Sequence, residues 1–540
     1  MLKRTIVCLT FITILFAGQA RARAQDGAPT ILIQVRSLAA VMENVKLLVT
    51  LSGREAISKQ VEELVKSKIG ANGLEGIDPA RPFGVYGTLK SINDGTVVLL
   101  VPIADENAFL KLLKNLNYEA KKNANTGIYT ISGLPVEIYF RFSEKYAYVS
   151  TLNLDALGAN NLLPPAKVFR ADQKSAISVA LRLDQLPKDV KFEFLAQLEQ
   201  GIKDAQNVKI PDETPAQNAL RLQVSREIVD QFKAVLNEGK QLGMDLNVDK
   251  NAEEISLTFS VTAQPNTALA RNIAEVGKTK SLFANLRTRD CALHGSATMA
   301  LPQSLQKLFA DTIDEAQAKI LAGFDNAARR KQAEELLKGL APTFKAAALD
   351  AAFSIQGPNA KKQYNIIAGV KLHEGANLNK TLRNLLVDVR ENMKPAEKDL
   401  LQLDVDNIAG ATIHRFDLRN FYGDDKEAKE ILGDGPIVMA VRDDLWCLAV
   451  GPDAMLTLRK ALTKTDDAPV PPLAVEFSLA RLWPLLPAND KNRAKLQELY
   501  PPGNEGGLRF SVDGGSSLNV RVSAHLSLVR FLGLTTMEMK

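Results

Sequence analysis

Ser304-Leu305-Gln306-Lys307 is where this chain comes nearest to a catalytic pair at local spacing. On a helix, residues three apart share a face, so the hydroxyl would sit one turn from the ammonium. Serine acyl enzymes of the penicillin-binding type begin this way, but the S-D-N and K-T-G segments that complete such sites do not follow. A serine hydrolase using Ser304 and Lys307 therefore stands only as an alternative, and no catalytic residue is assigned. His294, His373, His414 and His525 are scattered over the second half of the chain. No two share ligand spacing on one element, so neither a metal nor a cofactor site is expected. His294, His414 and His525 fall in strand-like stretches, where a hydrogen-bonded imidazole is the ordinary case.

The acidic pairs Asp105-Glu106, Asp424-Asp425, Asp443-Asp444 and Asp466-Asp467 lie at turns or helix starts, where Asp caps free amides. Asp249 and Asp513 have the same turn explanation. Phosphate loops, the dinucleotide glycine fingerprint, H-E-x-x-H and G-x-S-x-G are all absent. The glycine-rich stretch Gly503 to Gly515 is split by the alternating Leu508 to Val512, which predicts a hairpin. Trp446 and Trp483 are the only tryptophans, and Tyr139, Tyr146 and Tyr148 lie on alternating strands. An exposed aromatic platform for carbohydrate is not legible there.

The elements that must position any such group come in a repeated order. A strand from Val97 to Ile103 leads into a helix with Phe109, Leu112, Leu113 and Leu116; Ile366 to Leu372 leads into Leu378, Leu382, Leu385 and Leu386. Within these helices, Leu113-Lys114-Asn115-Leu116 matches Leu382-Arg383-Asn384-Leu385. Strand pairs follow at Val136–Val149 and Ile437–Val450, then a proline pair (Pro164-Pro165, Pro471-Pro472) and a further strand at Ala176 to Leu183 or Leu473 to Leu479. Each half closes on a hairpin, Leu246 to Val261 and Phe510 to Val522. The openings agree as well, Ile31 to Val35 with Ala292 to Met299.

This order predicts an α+β fold of two tandem pseudo-repeats, each an antiparallel-rich β-sheet backed by amphipathic helices. The first spans 25–290, with a helical insert at about 188–243, and the second spans 291–540. The second also carries helices between Pro302 and Leu340, and a loop with a short helix between Val387 and Gly410. The element order and apolar rhythm resemble large exported bacterial proteins of unknown function built from repeated strand, helix and hairpin units. That resemblance covers nearly the whole mature chain and implies no activity and no functional residue.

Residues 1–24 read as a signal peptide. Lys3 and Arg4 precede a short apolar core, and Ala22-Arg23-Ala24 offers a cleavage site. Secretion or a periplasmic location after cleavage near Ala24 is expected, and the core is too short to span a bilayer. The formal charge is +5, from 67 basic and 62 acidic residues. Lys3, Arg4, Arg21 and Arg23 leave with the signal, so the mature chain is nearly balanced and nucleic acid is not an expected partner. Apart from Cys8 in the signal, Cys291 and Cys447 remain, expected as buried thiols with a single disulfide as the alternative. A transmembrane anchor is not expected in the mature chain. The resulting expectation is an exported, non-enzymatic binding or scaffold protein of the cell envelope or exterior, partnered by a protein or an apolar ligand. A carrier holding an apolar ligand or lipid in a groove between the repeats is the alternative.

Overall fold

The computed structural model describes residues 29–51, 74–151, 153–170, 173–208, 210–211, 213–418, 426–463, 468–486, 490, 493–500 and 506–538. The expected signal peptide, with Cys8 and the cleavage site, lies outside the described residues, as do Asp424-Asp425 and Asp466-Asp467.

The chain is α+β with extensive antiparallel sheet and forms two compact units that are not contiguous in sequence. The first comprises residues 1–200, 232–271 and 521–540, the second 201–231 and 272–520. The expected division near Asp290 falls inside the second unit.

In the first unit the strands are β1 (Ile31–Val35), β2 (Phe83–Ser91), β3 (Asp94–Pro102), β4 (Ala120–Lys122) and β5 (Tyr129–Ile131). They continue with β6 (Ile138–Ser143), β7 (Tyr146–Ser150), β8 (Ile177–Arg182), β9 (Gly239–Asp249) and β10 (Glu254–Ala263). Their antiparallel pairings run β4-β5-β6-β7-β3-β2-β1-β8-β9-β10. One face buries Leu32, Tyr86, Val98, Leu100, Tyr148 and Ala180 as a single cluster. On the helix Glu106–Asn115, Phe109 and Leu112 are buried, and the Phe109 ring meets Phe140 edge-on at 6.0 Å. Asp105 caps this helix through the Ala108 amide at 2.9 Å, as expected for an Asp at a helix start.

The second unit contains β11 (Cys291–Ala300), β12 (Ala348–Gln356), β13 (Asn365–Lys371), β14 (Leu401–Ile408) and β15 (Ala411–Phe416). Then come β16 (Ile437–Arg442), β17 (Leu445–Val450), β18 (Leu473–Ser478) and β19 (Gly507–Asp513). Their pairings, again antiparallel, run β14-β15-β16-β17-β13-β12-β11-β18-β19. Ile367, Val438, Ala440, Cys447 and Ala449 are buried here with Ala454, Leu458 and Leu462 of the helix Ala454–Thr463. The helix Gly375–Asn392 docks through Leu378 beside Leu372 and Val441.

Three elements differ from the sequence expectation. The helical insert is a pair of helices, Lys188–Gln206 and Pro215–Glu238, and it ends before Gly243 because β9 begins at Gly239. Leu242, Met244, Leu246 and Val248 already alternate, and Leu242 pairs with Leu181. The expected loop between Val387 and Gly410 contains β14, held by pairing with β15. The short pair β4–β5 was not foreseen, since three-residue strands carry too little periodicity to register.

Both described cysteines are free. Burial pushes the Cys447 thiol up to about 12. Tyr146 and Tyr148 lie in the core, so they offer no platform to a sugar. No described helix is long and apolar enough to cross a membrane.

Candidate functional site

Ser304 occupies the first turn of the helix Gln303–Ala322, and its hydroxyl donates to the Glu227 carboxylate rather than to Lys307. Both residues are exposed and line none of the cavities described below. The S-x-x-K pattern therefore does not assemble acyl-transfer chemistry. The histidines are likewise apart. His373 is bound through its backbone to Thr343, His414 accepts from the Asp404 amide at 3.2 Å, and His525 meets Ser527 at 2.7 Å. Among the described residues no group of three His, Cys, Asp or Glu side chains could hold a metal.

What the fold does assemble is a polar row across three strands of the second unit. Strand alternation turns Ala292, His294, Ser296 and Thr298 of β11 to one face. His294 stands opposite Ser354 on β12 and Glu476 on β18, and Ser354 in turn stands opposite Ile367 on β13. In the first unit, Leu32 stands opposite Tyr86 and Ala180, and Tyr86 opposite Val98. Val98 and Ile367 each precede their helix anchor, Phe109 or Leu378, by the same number of residues. The trio Leu32, Tyr86 and Ala180 thus occupies the pairing positions that His294, Ser354 and Glu476 occupy in the second unit.

Glu476 is held by two guanidiniums. Arg509, its register partner on β19, donates from Nη2 to Oε1 at 2.6 Å, while Arg287 donates from Nε to Oε2 at 2.9 Å. Burial works to raise this carboxyl but is outweighed by the bonds and charge of Arg509 and then Arg287, which leave it below the usual range. His294 is 3% exposed. Its burial, followed by the charge of Arg287, pushes the imidazole down to about 4, so the ring is neutral near pH 7. Its Nδ1 is buried without a hydrogen-bond partner among the described residues.

Ser354 is fully buried, and its Oγ lies 3.0 Å from Cys291 Sγ. A serine nucleophile must bond to its histidine, which must bond to its carboxylate. Here neither ring nitrogen of His294 bonds Ser354 or Glu476, so the Ser, His and Glu types are aligned without forming a proton relay.

The row borders a cavity of about 280 Å³, lined by Arg287, His294 and Ser296 on one side and by Phe283, Val470 and Pro471 among its apolar wall. Two larger recesses lie in the same unit. One of about 660 Å³ is bordered by Met299 and Leu349, and one of about 430 Å³ by Lys361, Glu430 and Arg493. Neither places a buried, unpartnered polar side chain at its wall.

The sequence reading named His294 but gave it no role, and it missed Arg287, Ser296, Ser354, Glu476 and Arg509 as a group. The available signal lay in aligning the two halves strand by strand, which sets polar types opposite an apolar trio. No protein-family model matches this chain, and neither a curated protein nor a solved structure matches it.

Proposed function

We propose that this chain is an exported, non-enzymatic binding protein of the cell envelope or exterior, built from two copies of one folding unit, with the ligand taken by the second. The shared strand order supports the duplication. The observation carrying the binding role is His294: a nearly fully buried imidazole whose Nδ1 has no partner among the described residues, beside a small cavity, at a position where the first unit keeps Leu32. A buried polar nitrogen left without a partner costs about 1–3 kcal/mol, and a ligand group bonded to it would recover that. Enclosure of Ser354 and the lack of a relay favour binding over turnover.

Native mass spectrometry of gently purified protein tests this reading. A small molecule retained by the natural chain and lost from His294→Leu is expected. Equal, ligand-free spectra from both, with no stabilisation by a small-molecule extract, would remove the proposal.

The recess beside Met299 and Leu349 favours a second reading, that of a carrier for an apolar ligand. Both side chains are strongly exposed for their type. Co-purified lipid displaced by Leu349→Glu would support it.

A further inference from the structure

We infer that β14 carries an acid-sensitive latch: protonation of His414 releases the Asp404 amide from its ring and opens the bulge at Leu403 to Val405. This goes beyond the binding reading above and does not depend on it.

The latch begins with the register. Gln402 stands opposite Arg415 and Asp406 opposite Ile413, so Leu403, Asp404 and Val405 together face the single residue His414. A bulge of this kind leaves backbone amides without a ladder partner. His414 takes one of them, since the Asp404 amide donates to Nδ1 at 3.2 Å. That bond fixes Nδ1 as the acceptor and places the proton of the neutral ring on Nε2. It also helps to hold Asp404 at φ +54°, in the left-handed region that an aspartate occupies at a cost. In the pairing order of the second unit β14 is outermost, bonded to β15 alone, so no second strand keeps the bulge in place.

A proton on Nδ1 ends this arrangement. An imidazolium has an N–H at both nitrogens and accepts at neither, so the Asp404 amide must leave. The Asp404 carboxylate can take its place. Its Oδ2 is engaged by Arg383, at 2.9 Å from Nε and 2.8 Å from Nη2, while Oδ1 lies 3.8 Å from His414 Nδ1. The charged ring therefore exchanges a backbone bond for an ion pair with the same residue, and the main chain around Asp404 must move to make it. The surrounding groups set the direction. On β14, Asp404 favours the cation, and Asp406 is engaged by Arg459 of the helix Ala454–Thr463 at 2.8 Å. On the helix Gly375–Asn392, Arg383 opposes the cation, and the register partner on β16 is the uncharged Met439. Arg415, next on β15, turns to the other face of the sheet. His414 is 2% exposed, and its Nε2 is buried with no partner among the described residues. Burial, ahead of these charges, holds the closed ring below its ordinary 6.5. The open form thus binds the proton first, and acid favours opening.

Hydrogen exchange followed by mass spectrometry on the full chain tests the latch. Protection in peptides covering Leu401–Ile408, corrected for the intrinsic pH dependence of exchange, should fall by up to about 10-fold per pH unit below pH 6.5 and then level off. Peptides from β16 and β17 should show no such fall. His414→Gln, whose side-chain carbonyl can accept from the Asp404 amide at any pH, should flatten the profile. Arg383→Gln, at an exposed site, should move the onset to higher pH, and Asp404→Asn should move it lower; this pair carries the test should the glutamine form at 414 fold poorly. A profile in the natural chain as flat as that of β16, an unmoved onset in both members of the pair, or the same decline in His414→Gln would overturn the latch.

Discussion

Leu32, Tyr86 and Ala180 in the first unit do what a sheet interior ordinarily does: they exclude water and fill space. His294, Ser354 and Glu476, at the matching pairing positions of the second unit, do neither well. Ser354 and Glu476 require a thiol and two arginines to be tolerated, and His294 Nδ1 has no partner among the described residues. The same pairing positions are thus filled by packing alone in one unit and by groups that need charge and hydrogen-bond partners in the other.

The comparison can be broken most severely from the apolar side. Tyr86→Ser, which imports the second unit's residue into the first, should cost about 3–5 kcal/mol through lost packing and the void left behind. Both tryptophans belong to the second unit, so far-UV circular dichroism should report this loss at lower urea than tryptophan fluorescence does. Coincident, unshifted transitions would count against a shared role for the two positions.

Next in size is the pH response of the polar row. The His294 imidazole falls from 6.5 in the unfolded chain to about 4 in the folded one. The unfolded chain therefore binds the proton first as pH drops. Stability should be complete above about pH 6.5, decline by about 3 kcal/mol on the way to pH 4, and flatten below it. Subtracting the urea curves of His294→Leu from those of the natural chain isolates this window, and parallel curves would refute the buried neutral ring.

Glu476→Gln should cost about 2 kcal/mol, between an exposed and a buried ion pair, because the carboxylate is partly shielded while both arginines remain half in water. Arg509→Met alone should cost less, since Arg287 keeps Glu476 paired. The smallest effect expected is about 1 kcal/mol for Ser354→Ala, because Cys291 Sγ retains the Thr288 amide at 3.2 Å. Equilibrium urea midpoints followed by tryptophan fluorescence measure all three.

Much of the architecture was legible because period-two alternation and helical spacing are local properties. Val97 to Ile103 followed by Phe109 and Leu112 sufficed to place a strand and the helix after it, whereas the boundary expected near Asp290 was not found there. The short strands β4 and β5 were not legible because three residues carry almost no period, and β14 was not because its irregular register with β15 disturbs the alternation. The site was hidden for a different reason. His294, Ser354 and Glu476 are distant in sequence, and only strand register makes them neighbours. His294 alone resembles an ordinary strand histidine, and Glu476 an ordinary surface acid.

The path of the chain between units has a consequence for biosynthesis. Residues from Arg521 onward belong with the N-terminal unit, where Arg521 reaches Glu254 at 2.5 Å and the Leu526 amide bonds the Glu253 carbonyl. That unit cannot be completed until residues 272–520 of the second have been synthesised and the segment from Arg521 has followed them. Truncating the chain before Arg521 would therefore leave the first unit unfinished.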